Sequence, residues 1–293
     1  MGRKVVGLKN ALKNVASKEV EGNTVGELLQ NLDLQYADVA FTINVLNKAG
    51  TALSGSTIVL KTGDSQDSGD AVSPTSGSIY PVHYGSYNYA ISKANYETEK
   101  GIIVIGYDVA RAGEASLDVT LLTFAQVTVG VKDSDEQAID TPTIVVRKGA
   151  TPGSGDVVTA VNGKHPCLAG TYNYNVSKAD YETEIGTFVI AKADLETEVA
   201  LPIVLLTAAI VTLAITDAEG PVEGTTNVVK KGAEIGSGEE VTAEVDGTYK
   251  LLVGEYNYSV AKDTYTTKTG TFEIVKAELE TAKEVAVLIV SAA

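Results

Sequence analysis

Gly85-Ser86-Tyr87-Asn88-Tyr89-Ala90-Ile91-Ser92-Lys93 recurs as Gly170-Thr171-Tyr172-Asn173-Tyr174-Asn175-Val176-Ser177-Lys178 and again as Gly254-Glu255-Tyr256-Asn257-Tyr258-Ser259-Val260-Ala261-Lys262. The copies stand 85 and 84 residues apart. Downstream of each, Tyr96, Tyr181 and Tyr265 match, then Gly101, Gly186 and Gly270. Upstream, Phe41-Thr42-Ile43-Asn44-Val45 matches Val127-Thr128-Val129-Gly130-Val131 and Val211-Thr212-Leu213-Ala214-Ile215. A period this regular means one folding unit used three times in tandem.

Within each copy the apolar residues alternate with polar ones. Phe41, Ile43 and Val45 face one way and Thr42 and Asn44 the other, the pattern of a half-buried strand. Tyr87, Tyr89 and Ile91 alternate with Asn88 and Ala90 in the same manner. Turn residues such as Asp217-Ala218-Glu219-Gly220 separate the runs. Short alternating strands without long helical patterns predict an all-β chain of three tandem Ig-like antiparallel β-sandwich modules. The expected boundaries are 38–122, 123–206 and 207–293, preceded by a short helical N-terminal segment over 1–37. The junctions Leu121-Leu122-Thr123-Phe124 and Leu205-Leu206-Thr207-Ala208 hold neither Gly nor Pro, so one module is expected to lead almost directly into the next.

The strand, Asp/Gly turn, Thr-rich strand and Gly-x-Tyr-x-Tyr, Val-Ser-Lys and Tyr-Glu-Thr runs together resemble bacterial immunoglobulin-like, carboxypeptidase-regulatory-like modules. That resemblance covers about residues 38–293 and implies a tandem surface module serving as spacer, adhesin or decoration. Some related modules carry a Lys–Asn isopeptide bond. Lys132 lies in an expected first strand, but the expected last strands, 117–122 and 199–206, offer no Asn, so no such bond is expected.

Composition narrows the function classes. The chain has 293 residues, a net charge of −15, one Cys, two His and no Trp. One cysteine excludes an intramolecular disulfide scaffold, and two histidines leave little from which to build a metal centre. Five basic residues (Arg3, Lys4, Lys9, Lys13, Lys18) against Glu19 give residues 1–19 a charge of +4, leaving −19 on the rest. An acidic body of this kind does not suit nucleic acid, whose phosphates need Lys and Arg. No run approaches the roughly 20 apolar residues of a membrane span, and no apolar core of a secretion signal follows the basic start.

Residues 1–37 stand outside the repeat. Leu8, Leu12 and Val15 lie at helical spacing, and Thr24-Val25-Gly26-Glu27 reads as a capping box opening a helix with Val25, Leu28, Leu29 and Leu32 as its apolar stripe. So short a stripe needs a partner to cover it: the first module, a sister chain or a different protein. These seven residues are the candidate anchor or oligomerisation set. Their Thr-Val-x-x-Leu-Leu-x-x-Leu pattern also resembles the N-terminal helices of phage head-fibre proteins, which implies a capsid partner.

Candidate chemistry is weighed against the repeat itself. His165 aligns with Tyr80 and Tyr249, a ring-sized packing position, and His83 with Leu168 and Leu252. Cys167 aligns with Val82 and Leu251, an apolar slot. The glycine-bearing loops 63–69, 149–155 and 232–238 lack the Gly-Lys-Ser/Thr of a phosphate loop and read as surface loops with positive-φ demands. The acidic turn Asp133-Ser134-Asp135-Glu136 is not repeated in the other copies, so calcium is not expected. Tyr84 and Tyr107 fall outside the three-fold pattern and could offer flat rings to a sugar.

The sequence therefore predicts a non-enzymatic virion structural protein without cofactor, a phage head fibre or capsid decoration protein at the virion surface. Its expected partner is the major capsid protein or another virion protein, met through residues 1–37. Sister chains and host-surface polysaccharide are further candidate partners, and neither nucleic acid nor membrane is one. The alternative is a bacterial cell-surface adhesin or stalk that binds polysaccharide.

Overall fold

A computed structural model describes residues 37–292. The expected anchor residues Leu8, Leu12, Val15, Val25, Leu28, Leu29 and Leu32 lie outside the described residues. The chain divides into two compact units between Phe124 and Ala125; the first holds module 1 and the second holds modules 2 and 3. No described helix is long and apolar enough to cross a membrane.

Module 1 contains β1 (Val39–Leu46), β2 (Thr57–Thr62), β3 (Ala71–Val72), β4 (Ile79–Val82), β5 (Gly85–Ser92), β6 (Glu99–Ile105), the short helix α1 (Tyr107–Ala112) and β7 (Glu114–Thr120). One sheet has the order β4-β1-β7 and the other β3-β2-β5-β6. Module 2 repeats this with β8 (Ala125–Lys132), β9 (Thr143–Lys148), β10 (His165–Cys167), β11 (Gly170–Ser177), β12 (Glu184–Ile190) and β13 (Glu198–Val204). Module 3 follows with β14 (Ala209–Thr216), β15 (Thr226–Lys231), β16 (Glu239–Val241), β17 (Tyr249–Leu251), β18 (Gly254–Ala261), β19 (Lys268–Ile274) and β20 (Ala282–Leu288). The sheet orders β10-β8-β13 and β17-β14-β20 are the counterparts of β4-β1-β7.

The modules are the expected Ig-like sandwiches, with one feature that alternation alone does not dictate. The first strand pairs antiparallel with the strand just before the motif strand (β4, β10 and β17) but parallel with the last, as in Ile43 opposite Leu117, Val129 opposite Leu201 and Leu213 opposite Val285. A parallel pair cannot be joined by a hairpin, so the chain crosses the other sheet before returning, and the closing pair ties both ends of each module together. The inward rows are the alternating residues read from the sequence: Val39, Phe41, Ile43 and Val45 are buried in module 1, and Ala209, Val211, Leu213 and Ile215 in module 3.

The Tyr-Asn-Tyr motif differs from a simple alternating strand, because its polar residue is buried as well. Asn88, Asn173 and Asn257 are at most 2% exposed. Each faces away from the core and is covered by the glycine-bearing loop of its own module. In module 2, Asn173 Nδ2 donates to the carbonyls of Gly149 (3.0 Å) and Ser154 (3.1 Å), while its Oδ1 accepts from Gly153 N–H (3.1 Å). Asn257 repeats this with Gly232, Ser237 and Gly236, and Asn88 with Gly63, Ser68 and Asp67. The loop ends on a glycine that nothing else can replace. A Cβ on Gly69, Gly155 or Gly238 would stand 1.8 Å from a carbonyl oxygen of the preceding strand, and φ there is +86° to +92°.

The remaining motif residues are equally occupied. The first tyrosine donates to a carbonyl four residues back, Tyr87 to His83, Tyr172 to Leu168 and Tyr256 to Leu252, a tyrosine-corner contact. The second lies directly across from Gly101, Gly186 or Gly270, and its ring fills the space a side chain would take there. The closing lysine reaches the loop after the first strand: Lys93 to Ser54, Lys178 to Asp140, Lys262 to Glu223.

Replacing Asn173 with Ala leaves one N–H and two carbonyls of the loop without partners. The expected loss of stability is about 2–4 kcal/mol, read from denaturant unfolding. Asn173→Ala unfolding at the wild-type midpoint would show that the loop does not depend on the amide.

Candidate functional site

The residues singled out for chemistry are placed as follows. His165 is buried at the ring position shared with Tyr80 and Tyr249, and its Nδ1 lies 2.9 Å from the Val158 carbonyl. His83 is exposed, with Nδ1 3.3 Å from the Ala37 carbonyl and 3.5 Å from Asp38. Cys167 has no exposed surface, and burial pushes its thiol up to about 11 against a weaker opposing hydrogen bond from Tyr172. His165 and Cys167 do face the same way on β10, but both face the core. Lys132 is exposed, and its register partner on the closing strand is Val204.

Asp133 closes its own turn by accepting from the Gln137 N–H at 2.7 Å, and Asp217 does the same with Glu219 and Gly220. Asp217 also accepts from the Tyr265 hydroxyl at 2.7 Å; this bond is the main cause that holds its carboxyl below the usual range and raises the tyrosine. Among the described residues no three His, Cys, Asp or Glu side chains converge as metal ligands would. An open groove in module 1 is lined by Asn44, Leu53, Ser56, Ser78 and Asp118, and Asn44 donates to Asp118, its register partner on the adjacent strand, at 2.8 Å. Tyr84 and Tyr107 do not stand apart as two flat platforms: they stack on each other with ring centroids 4.3 Å apart and planes at 22°.

The best-built polar assembly in the molecule joins module 2 to module 3. Only residues 205–208 separate β13 from β14. Leu205 is buried in the module 2 core, and the next residue, Leu206, packs against the core of module 3. Two consecutive side chains thus commit the connection to both cores. Around it, Glu280 of module 3 accepts from Ser134 Oγ (2.8 Å) and from Thr207 N–H (3.1 Å). Glu182 of module 2 accepts from Val253 N–H (3.0 Å), and Glu184 pairs with Lys276. The Tyr181–Thr207 bridge ties the start of the connection back to module 2, as Tyr265–Ser291 does at the end of module 3.

Local structure explains why these residues arrive there. Glu182 and Glu184 follow the turn from β11 to β12, and the backbone there is fixed when Glu182 N–H donates to the Leu206 carbonyl. Lys276 and Glu280 sit on and just after the 3-10 turn Lys276–Glu278, which is pinned from below by buried Leu279 and closed by Glu278 accepting from Val275 N–H. Sequence reasoning passed over the three carboxylates of the joint and its lysine, since the chain holds 38 acidic residues and nothing local distinguishes these. The Leu205-Leu206 pair was the available signal.

The joint predicts a mechanical phenotype rather than a large loss of stability, because exposed charge pairs contribute about 1 kcal/mol or less. In Glu280→Ala, residual dipolar couplings from β8–β13 and β14–β20 are expected to need two alignment tensors where the wild type needs one. A single tensor for the variant would contradict the assignment. For the thiol, a value of about 11 leaves roughly one thiolate in a thousand at pH 8, so native protein is expected to resist maleimide labelling at Cys167 until unfolded. Rapid stoichiometric labelling of the native chain would refute this.

No family model and no curated protein matches the chain. Solved structures do resemble it. The Bacillus anthracis TIE protein shares 18% identity over 86% of this chain with a TM-score of 0.27, and the chain spans about half of that protein's length, 51%. A streptococcal ancillary pilin shares 15% identity over 85% of this chain and 99% of its own, with a TM-score of 0.31. The major pilin subunit BcpA of Bacillus cereus shares 12% identity over 87% of this chain and 100% of its own, with a TM-score of 0.25. At scores this low the likeness says nothing of what this chain binds or assembles with.

Proposed function

We propose that this chain is a non-enzymatic structural protein of a virion surface, a phage head fibre or capsid decoration protein whose residues 1–37 attach it to the particle and whose β-sandwich modules are displayed. The observation that carries the structural role is the joint between modules 2 and 3. Leu205 buried in one core, Leu206 packed against the other, three carboxylates and a lysine serve to hold one module against the next. The repeated motif supports the same reading, since its tyrosines, asparagine and lysine are each engaged in holding their own module together.

Charge supports display in many copies and attachment through the N-terminal end. The −19 carried outside residues 1–19 sets neighbouring copies in repulsion, while the +4 of residues 1–19 favours an acidic partner surface. Repeated modules also suit weak contacts made many times over, where avidity compensates for low affinity.

A second reading, a bacterial cell-surface adhesin or stalk, is favoured by one feature of the sheets. The edge strands β6 and β12 turn branched aliphatics outward in two modules: Val104 (68% exposed) and Val189 (66%) occupy matching places, with Ile102 (48%) on the first strand and Ile185 (49%) on the second at places that do not match. Branched aliphatics repeated on an exposed edge form a contact surface that folding does not require. In that reading these rows meet a host-surface polymer.

Mass spectrometry of purified virions beside a host envelope fraction separates the two; the proposal expects the chain in virions, and recovery only in the envelope fraction rejects it. Deletion of residues 1–37 is expected to leave the modules folded by circular dichroism and to abolish incorporation. Undiminished incorporation would assign attachment to the modules.

A further inference from the structure

Side chains that all three copies share hold the fold, whereas a polar cluster that one copy alone carries is available to a ligand. Module 1 carries such a cluster at the open groove beside β1. Its register pair Asn44–Asp118 has Gly130–Pro202 as counterpart in module 2 and Ala214–Ala286 in module 3. Ser78, whose carbonyl accepts from Ile43 N–H at 3.1 Å, has Gly163 and Gly247 as counterparts. Ser56 has Pro142 and Thr225. All four polar side chains of module 1 line one groove. Modules 2 and 3 close the same parallel strand pair without the asparagine, the aspartate or Ser78, so the fold does not call for them.

The groove suits a small polar ligand. Its volume of about 510 Å³ lies within the range of small-molecule sites. Its apolar part comes from Leu53 and Ile58, half-buried against the module 1 core. Asn44 donates one N–H to Asp118. Its second N–H, its carbonyl oxygen and the other Asp118 oxygen take no partner among the described residues. The Ser56 hydroxyl donates to the Leu53 carbonyl at 3.4 Å and keeps its acceptor side. Donors and acceptors side by side, next to an apolar surface, match a sugar ring, which has adjacent hydroxyls on its rim and C–H bonds on its faces. Charge narrows the class. Lys93, beside Gly55, is already engaged on the Ser54 carbonyl at 2.6 Å, and both Asp118 and the −15 of the chain repel an acidic sugar.

We propose that this groove is a binding site for a neutral saccharide. Asn44 and Asp118 hold adjacent hydroxyls, Ser56 and Ser78 bond the outer rim, and Leu53 and Ile58 face the ring. One such site per chain is weak, and display in many copies is what lets weak sites hold. The site does not depend on which surface displays the module, so it can fail while the display proposal stands, and the reverse.

Titration of the full chain with the methyl glycosides of glucose, galactose, mannose and N-acetylglucosamine, followed by amide NMR shifts, tests the proposal. At least one glycoside is expected to move amides 44–46, 53–58 and 78 with a Kd on the order of 1 mM, while the counterparts 130–132, 139–144 and 163 stay in place. Asn44→Ala combined with Asp118→Ala, the pair that module 3 carries, is expected to weaken binding at least about tenfold, with unchanged amide exchange in β1 as the sign of an intact sandwich. Ser78→Gly, which copies both other modules, is expected to weaken it in the same direction. Groove amides that none of the four glycosides moves at about 50 mM would overturn the proposal, as would equal binding by the double variant. Tighter binding of methyl glucuronide than of methyl glucoside would overturn it too, by assigning the groove to an acidic ligand.

Discussion

One buried amide side chain in each module carries the constraint on which the rest depends. The loop over the motif strand runs outside any ladder, so its N–H and carbonyl groups need partners from elsewhere. Asn88, Asn173 and Asn257 supply them, donating to two carbonyls and accepting from one N–H. An aspartate would set an acceptor oxygen against those carbonyls where the amide nitrogen donates, and an apolar residue would leave all three groups unpaired. The amide in turn demands the glycine that closes the loop, because only a residue without Cβ passes the preceding strand's carbonyl at that distance. This is why the strongest repeat in the sequence is a signature of architecture and not of binding.

Fixing the loops and turns is what makes the ends of the modules precise enough to be joined. Glu182 and Glu184 follow one such turn, and Lys276 and Glu280 are placed by another that Leu279 anchors. The joint uses exposed charges, which stabilise little, together with the Leu205 and Leu206 insertions, which set the geometry. Such a joint couples the orientation of module 2 to that of module 3.

Much of this was legible in the residues. Alternation at Phe41, Ile43 and Val45 gave the strands, the 85-residue period gave the modules, and the repeat itself placed Cys167 and His165 among core residues. Three features were not legible. The parallel pairing of first and last strands leaves no local trace, because alternation is the same in either direction. Asn88 reads as a solvent-facing residue by period, since the loop that covers it lies some twenty residues earlier. Glu280 cannot be told from other acidic residues until the fold brings Ser134 and Thr207 to it. Tyr84 and Tyr107 were visible as departures from the repeat, but their mutual stacking, which occupies one face of each ring, required the structure.

The central claim is that the asparagine amides, and not the solvent, satisfy the loop backbone in all three modules. Native-state hydrogen exchange of the Asp67, Gly153 and Gly236 amides, which donate to the three Asn side-chain oxygens, tests this most directly. The account predicts that all three exchange slowly, with opening energies near those of the adjoining strands. Exchange as fast as in the exposed turns at Asp133–Gln137 would contradict it.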